Sequence, residues 1–224
     1  MSTSKTGALV SIIKFSHLNW IITVVENQSE RHQKRMKRQK SVVDEQVQKA
    51  DKDKGLLLVI TGNGKGKSSS GFGMVARALG HNMKVGIVQF IKGAFSTGEE
   101  AFFRRFPDEA EYHVMGDGFT WDTQNLEQDI ASAKAGWAVC QRLLQDPAVK
   151  VVLLDELNIV LKMGYLDTEA VLNDIAQRPA MQHVIITGRG APDAVIEAGD
   201  TVSRVEDVKH AFRAGIQAQK GIEL

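Results

Sequence analysis

Short apolar runs alternate with stretches of helical periodicity from residue 55 to the end of the chain. The runs predict six strands, at residues 56–60, 85–90, 112–115, 151–154, 183–187 and 201–205. The stretches between them predict helices at residues 68–79, 98–106, 126–144, 168–177 and 208–220. Continuous apolar runs such as VVLL are typical of strands that helices cover on both faces. The pattern therefore predicts a doubly wound, mostly parallel α/β sheet that binds its ligand at the carboxyl ends of its strands.

The first 29 residues follow a different pattern. Residues 8–25 form an apolar run about as long as a membrane span, but Lys14, His17 and Asn19 interrupt it. We interpret residues 1–29 as a poorly ordered N-terminal extension without stable membrane insertion. A weak membrane or targeting segment is the alternative.

Residues 30–54 form a basic segment that precedes the domain at residues 55–224. Six Lys and Arg residues fall between Arg31 and Lys40, and a mixed-charge helical pattern follows. We interpret the segment as a basic helical arm. A nucleic-acid-binding arm, a solvated helix and a mobile arm that folds over an anionic ligand all remain open, although no aromatic residues interleave to stack on bases.

Composition narrows the class of protein. The 224 residues carry 28 Lys and Arg against 27 Asp and Glu, a balance that does not demand a nucleic acid or an anionic membrane as partner. The single cysteine, Cys140, excludes an intramolecular disulfide and argues against a thiolate zinc site. We therefore expect a cytoplasmic protein, with Cys140 as a core residue of a helix.

The first chemical motif is a glycine-rich loop between the first strand and the first helix of the domain. The sequence TGNGKGKSSS places Gly62, Gly64 and Gly66 before Lys67 and Ser68. Glycines allow backbone N–H groups to turn toward a polyphosphate, the lysine adds positive charge, and the serine hydroxyl can bind magnesium. The motif predicts a nucleotide site of the P-loop NTPase, RecA-like kind.

The spacing of this loop departs from the usual P-loop. That motif has a glycine six residues before the lysine, where this chain has Thr61. The glycine comes one position later, and an additional lysine, Lys65, lies inside the loop.

The second motif is VVLLDE, a strand that ends in Asp155 and Glu156. In parallel-sheet ATPases an acid at such a strand end binds magnesium beside the phosphate loop.

The third motif is IITGRG, a strand that runs into Arg189. Arg189 would lie at the same edge of the sheet, where it could pair with a phosphate. Gln89 and Lys92, at the end of the second strand, are weaker candidates.

A fourth motif, GDGFTW at residues 116–121, contains two aromatic residues, Phe119 and Trp121. In an extended loop their side chains would project to the same side. They form either an apolar wall for a large, flat second substrate or anchors that hold the loop to the core.

These motifs alone leave the reaction open. The chain contains neither an aspartate-based kinase catalytic loop nor a convincing Ser/His/Asp set, and its histidines lack metal-ligand spacing. An ordinary P-loop ATPase or small-molecule kinase, and a RecA-like nucleic-acid-binding module, are the alternatives to a transferase.

Taken together, the motifs resemble the ATP:corrinoid adenosyltransferases of the bacterial cobalamin pathway. TGNGKGKSSS, VQFIKG, GFTW, VVLLDEL, VIITGRG and the C-terminal VKHAFRAGIQAQKGIEL follow in matching order from about residue 30 to residue 224. The resemblance implies transfer of the 5′-deoxyadenosyl group of ATP to the Co(I) of a corrinoid, with release of triphosphate. Complete cobalamin, cobinamide and an a,c-diamide precursor remain open as acceptors.

The resemblance also implies roles for individual residues. Phe119 and Trp121 match an aromatic pair that displaces the lower axial ligand of the corrinoid, and Lys67 supports transfer. Ser68 and Glu156, with Asp155, would hold Mg²⁺ or Mn²⁺. The resemblance further implies a reduced flavoprotein as reductant, a homodimer and an arm that closes over the corrinoid. It implies no nucleic-acid partner. The residues expected to bind ATP are Gly62, Asn63, Gly64, Lys65, Gly66, Lys67, Ser68, Ser69 and Arg189.

Overall fold

The computed structural model describes residues 7–91, 97–115 and 125–223, with side chains from residue 28 onward. The chain divides into two units, Met1–Lys52 and Asp53–Leu224.

The first unit contains one long helix, α1, at Gly7–Lys49. This helix continues through residue 29, where the sequence pattern predicts the end of the N-terminal extension and the start of the basic arm. The backbone of residues 7–29 therefore runs directly into that of the arm. The side chains of residues 28–49 are exposed. Among the residues whose side chains the structure describes, no helix is long and apolar enough to cross a membrane. The apolar run at residues 8–25 lies outside them.

The second unit is built on a six-stranded sheet in which every neighbouring pair of strands is parallel. The strand order is β3-β2-β4-β5-β1-β6. All six predicted strands are confirmed, with bounds that differ from the predicted ones by at most two residues. The strands are β1 at Leu57–Thr61, β2 at Lys84–Gln89, β3 at Ala110–Val114, β4 at Val149–Asp155, β5 at His183–Thr187 and β6 at Thr201–Arg204.

Both faces of the sheet are covered, as the continuous apolar runs predict. Strand β4 shows this most clearly, because Val151 and Leu153 belong to one core cluster and Val152 and Leu154 to the other. Helices α2 and α3 supply residues to the first cluster, and α4 to α7 supply residues to the second. The helices are α2 at Lys67–Gly80, α3 at Gly98–Phe103, α4 at Leu126–Gln145, α5 at Leu157–Lys162, α6 at Thr168–Ala176 and α7 at Asp193–Ala198.

The helix predicted at residues 208–220 is wrong. The structure has only one 3₁₀ turn there, at Ala211–Ala214, and Gly215 then adopts a φ of 75°. The apolar residues Val208, Phe212 and Ile216 are exposed. A helix of this length depends on burying an apolar face, and this segment buries none.

An ion pair attaches the edge strand β3 to helix α4. Arg142 of α4 donates from both terminal nitrogens to the carboxylate of Glu111 in β3, with Nη1 3.2 Å from Oε2. The hydrogen bonds from Arg142 are the largest cause of a shift that lowers the pKa of Glu111 to about 2. The pair therefore stabilises the fold while Glu111 is ionised.

We predict that Glu111→Gln lowers the free energy of unfolding at pH 7. The folded-state pKa is depressed, so the stabilisation is present above about pH 4.5 and is lost as the pH falls toward 2. Because the pair is partly exposed to water, we expect a loss of about 1 kcal/mol at neutral pH. Urea unfolding at pH 7 and pH 3 measures the loss and its decrease. Glu109→Gln, at an exposed neighbouring position, is the control, and equal stability of Glu111→Gln and wild type at pH 7 would contradict the assignment.

Candidate functional site

The glycine-rich loop is packed against the segment that follows β6. Gly62 has a φ of 102°, and a Cβ atom there would lie 2.3 Å from the carbonyl oxygen of Val205. A Cβ atom at Gly64 would lie 2.3 Å from the carbonyl oxygen of Glu206. The N–H of Gly64 donates to the carbonyl oxygen of Val205 at 2.9 Å. Close backbone packing thus requires glycine at positions 62 and 64, and the positive φ is a second reason at position 62.

Lys67, the first residue of α2, is buried beneath this loop. Its side chain is 6% exposed, and Nζ donates to the carbonyl oxygen of Gly64 at 2.6 Å. Burial is the largest cause of a lowered pKa of Lys67; Arg189 lowers it further, whereas Glu156 and Asp155 raise it. Three segments that are far apart in sequence, which carry Lys67, the pair Asp155 and Glu156, and Arg189, are therefore close enough to interact electrostatically.

Thr61 replaces the usual first glycine and joins two strand ends. Its hydroxyl is buried and accepts a hydrogen bond from the N–H of Ala191 at 3.1 Å. Ala191 follows the loop that carries Arg189, whose side chain is exposed. The threonine thus attaches the loop after β5 to the start of the phosphate loop.

Four buried polar side chains, one from each of the adjacent strands β3, β2, β4 and β5, form a row of hydrogen bonds near the carboxyl ends of these strands. Asp155 accepts from Thr187 Oγ1 at Oδ1, 2.7 Å away, and from Gln89 Nε2 at Oδ2, 2.9 Å away. Gln89 Oε1 in turn accepts from the hydroxyl of Tyr112 at 2.6 Å. We call Tyr112, Gln89, Asp155 and Thr187 the carboxyl-end row. Sequence reasoning singled out Gln89 and Asp155, but it missed Tyr112 and Thr187.

Glu156 has different surroundings from its neighbour. Its N–H donates to Thr187 Oγ1 at 3.0 Å, and its φ of 61° lies in the left-handed region. Its Oε2 atom is buried without a hydrogen-bond partner in the part of the chain that the structure describes. Burial is the main cause that raises the pKa of Glu156 to about 7; Asp155 raises it further, and Lys67 and Arg189 oppose the shift.

These residues fit a magnesium ion. Magnesium binds proteins through one or two carboxylates, and the phosphates of the substrate and water complete its shell. Glu156 provides a buried carboxylate oxygen that has no partner in the described ranges, and Ser68 provides a half-buried hydroxyl in the first turn of α2. Within the described ranges no group of three or more His, Cys, Asp or Glu could hold an ion. A site completed by substrate phosphates agrees with that finding.

The remaining candidates are arranged as follows. Asn63, Lys65 and Ser69 are exposed, and Lys65 Nζ lies 3.7 Å from Glu223 Oε1 of the C-terminal segment. Ser69 borders a cavity of about 430 Å³ between α2, α3 and that segment, which the sequence did not predict. Phe119, Trp121 and Lys92 lie outside the described residues. Cys140 is buried in α4, as expected for a core residue.

Comparison with known proteins gives one family. A family model described as ATP:corrinoid adenosyltransferase BtuR/CobO/CobP matches residues 53–224. The corrinoid adenosyltransferase of Pseudomonas aeruginosa is 66% identical over 195 residues, which are 87% of this chain and 96% of that protein. Proteins of the same name from Escherichia coli and, as CobA, from Salmonella typhimurium are 47% and 46% identical over 194 residues, each covering 87% of this chain and 98% of the relative.

The solved structures are more distant. The flagellar accessory protein FlaH from Methanocaldococcus jannaschii matches with a TM-score of 0.43 at 12% identity, over 68% of this chain and 71% of that chain. This similarity is too low to carry an argument.

We predict that Thr61→Val weakens the attachment between the two strand ends. Valine has a similar shape but cannot accept the hydrogen bond, so the N–H of Ala191 loses its partner. We expect a loss of about 1–3 kcal/mol in the free energy of unfolding and faster hydrogen exchange of the Ala191 amide. Thr201→Val, at an exposed position of β6, is the matched control. Unchanged exchange of the Ala191 amide in Thr61→Val would refute this role.

Proposed function

This chain belongs to the ATP:corrinoid adenosyltransferase family, and from that premise we propose that it transfers the 5′-deoxyadenosyl group of ATP to the Co(I) of a corrinoid in adenosylcobalamin biosynthesis or salvage. The match over residues 53–224 is the observation that carries the proposal. The buried Lys67 beside two carboxylates supports it, because this arrangement suits a triphosphate with its metal ion.

In the proposed reaction one bond forms and one breaks. The Co(I) electron pair attacks the ribose 5′-carbon and forms the Co–C bond. The bond from that carbon to the α-phosphate oxygen breaks, and its electron pair leaves with triphosphate. Stabilisation of charge on the leaving oxygen is the main task of the protein, and positively charged and N–H groups fixed beforehand perform it. No base that activates water is needed.

The triphosphate would be held by the loop and by the first turn of α2. Lys67 needs only to exchange its hydrogen bond from the carbonyl oxygen of Gly64 to a phosphate oxygen, and the phosphate would offset the cost of its burial. Arg189, exposed after β5, would contact the same anion. The proposed ATP-binding residues are Gly62, Asn63, Gly64, Lys65, Gly66, Lys67, Ser68, Ser69 and Arg189.

Ser68 and Glu156 would hold Mg²⁺, or Mn²⁺, beside Asp155. When bound, the ion neutralises part of the triphosphate charge and so improves the leaving group. The Oε2 atom of Glu156, which is buried without a hydrogen-bond partner among the described residues, supports this assignment.

The corrinoid side of the proposal depends on the family resemblance. Phe119 and Trp121 would displace the lower axial ligand of the corrinoid, which makes Co(II) easier to reduce. A reduced flavoprotein would supply the electron, and the basic arm would close over the bound corrinoid. We also propose a homodimer in the cytoplasm. The single cysteine, which excludes an intramolecular disulfide, supports that location.

The products test the reaction. With ATP and a chemically reduced Co(I) corrinoid under anaerobic conditions, we expect adenosylcorrinoid and triphosphate in equal amounts. Absorbance spectra follow the corrinoid, and ion chromatography separates triphosphate from ADP and phosphate. Formation of ADP or phosphate without corrinoid would instead indicate an ATPase or kinase.

Lys67→Ala is the inactive reference for this assay. Removing one group that stabilises the leaving anion lowers the rate by about 100- to 1,000-fold. Lys84→Ala is the matched control, because Lys84 is exposed at the amino end of β2, away from the carboxyl edge.

We predict that Phe119→Ala and Trp121→Ala impair turnover mainly when cobalt enters as Co(II). The aromatic pair acts before the transfer step, so turnover from chemically generated Co(I) should decrease much less. Comparing the two rates for each variant with a weak reductant measures the difference. Wild-type rates from Co(II) in both variants would rule out the proposed role of the pair.

A further inference from the structure

The two acids that end β4 are adjacent in sequence but differ in their hydrogen bonding. Both oxygens of Asp155 accept hydrogen bonds within the carboxyl-end row, and the side chain is 3% exposed. The Oε2 atom of Glu156 is buried and has no partner in the described chain. The one acid is therefore engaged by the sheet, and the other is available to a ligand.

The hydrogen bonds of the row have one fixed direction. The hydroxyl of Tyr112 donates to Gln89 Oε1, which orients the amide so that Nε2 points to Asp155. At the other end, Thr187 accepts from the N–H of Glu156 and uses its own hydrogen for Asp155. The hydrogen bonds from both ends of the row thus lead to the Asp155 carboxylate, and Tyr112, Gln89 and Thr187 cannot reverse theirs without losing one.

The row is held rigidly at both ends. The ring of Tyr112 stacks on those of Phe72 and Phe103, at centroid distances of 6.3 and 6.4 Å. Thr187 is fully buried at the end of β5. Such packing fixes the hydroxyl groups that aim at Gln89 and Asp155.

Glu156 needs this support because its backbone is strained. A non-glycine residue in the left-handed region is unfavourable and persists only where neighbouring contacts hold it. The hydrogen bond from its N–H to Thr187 is such a contact, and Thr187 is oriented by Asp155. A Cβ atom at Gly188 would also come within 3.0 Å of Glu156 Oε2, so the side chain lies against the loop after β5.

Within the proposed function, in which Glu156 would bind the metal ion, we infer that Asp155 is not a ligand but a positioning residue. Through Thr187 the carboxyl-end row holds residue 156 in its left-handed conformation, which keeps the Glu156 carboxylate beside Lys67. Tyr112 and Gln89 act on the metal site only through Asp155.

Exchanging the donor and the acceptor of the hydrogen bond between residues 89 and 155 distinguishes two roles of Asp155, which are positioning Glu156 and binding the metal ion directly. In Asp155→Asn the new amide nitrogen faces either Gln89 Nε2, where two donors oppose, or Thr187 Oγ1, where the hydroxyl hydrogen loses its acceptor. In the double variant Gln89→Glu/Asp155→Asn, the new amide at position 155 donates to the new carboxylate at position 89, which still accepts from Tyr112. All four positions are paired again, but the negative charge has moved one strand away.

The measurement is binding of Mn²⁺ in the presence of ATP, followed by electron paramagnetic resonance, so it does not require turnover. We expect Asp155→Asn to weaken Mn²⁺ binding about tenfold, the effect of about 1.4 kcal/mol at the row. The double variant should return to within about threefold of wild type. Glu156→Gln should lose at least about tenfold although the row is intact. A double variant no better than Asp155→Asn, or wild-type binding by Glu156→Gln, overturns the inference.

Tyr112→Phe keeps the inference testable if Asp155→Asn does not fold. It removes one hydrogen bond and leaves the ring packing, and it should weaken Mn²⁺ binding about threefold. Asp193→Asn, an exposed acid at the start of α7, is the control and should bind as wild type. If Tyr112→Phe lowers only the free energy of unfolding and leaves Mn²⁺ binding unchanged, the row is merely structural and the inference fails.

Wild-type protein distinguishes this inference from the proposed function. Absence of ATP-dependent Mn²⁺ binding in wild type would overturn the metal assignment of the proposed function and the inference with it. Binding by wild type together with an unrescued double variant would overturn the inference alone. Rescued Mn²⁺ binding without adenosyl transfer to Co(I) would leave the row as inferred and refute the proposed reaction.

Discussion

The ammonium group of Lys67 is buried against the carbonyl oxygen of Gly64, and the arrangement of the site follows from the need to compensate that charge. Burial of a lysine is unfavourable unless negative charge lies nearby. Here Asp155 and Glu156 provide it from β4, which is separated from β1 only by β5. The strand order of the sheet thus brings Lys67 and the two carboxylates to either side of the end of β5. A bound triphosphate with its metal ion would complete this balance of charges.

The proposed site residues could be placed from the sequence because each lies at the end of an apolar run or in the short loop that follows it. Strands buried on both faces are continuous in sequence, so the positions of Lys67, Asp155 and Arg189 at the carboxyl edge follow from the pattern alone. The carboxyl-end row could not be predicted in this way. In the sequence Tyr112 is indistinguishable from other strand residues, because its partner Gln89 is known only once β3 is placed beside β2. The order of parallel strands depends on tertiary packing and cannot be derived from the sequence pattern.

Tertiary contacts explain where the observed elements differ from those predicted from the sequence. Such contacts stabilise two helices that were not predicted, and their absence leaves one predicted helix unformed. Helices α5 and α7 have six residues each, too few for a periodic signal, yet Val160 and Val195 are buried in the core. Residues 208–220 have the composition of a helix, but their apolar side chains are exposed and the helix does not form. Thr61, a departure from the usual spacing, has its hydrogen-bond partner 130 residues away along the chain.

The place of β1 in the sheet has a consequence for the newly synthesised chain. Its neighbours are β5 and β6, so Leu57 pairs with Val184 and Leu58 with Thr201, and the loop glycines pack on Val205 and Glu206. The phosphate loop is near the start of the domain, but the backbone that shapes it is near the end. During synthesis, which proceeds from the N-terminus, the nucleotide site is therefore among the last parts of the domain to form. A partly synthesised chain that ends before β6 lacks the shaped loop and cannot rely on ATP to stabilise its folding.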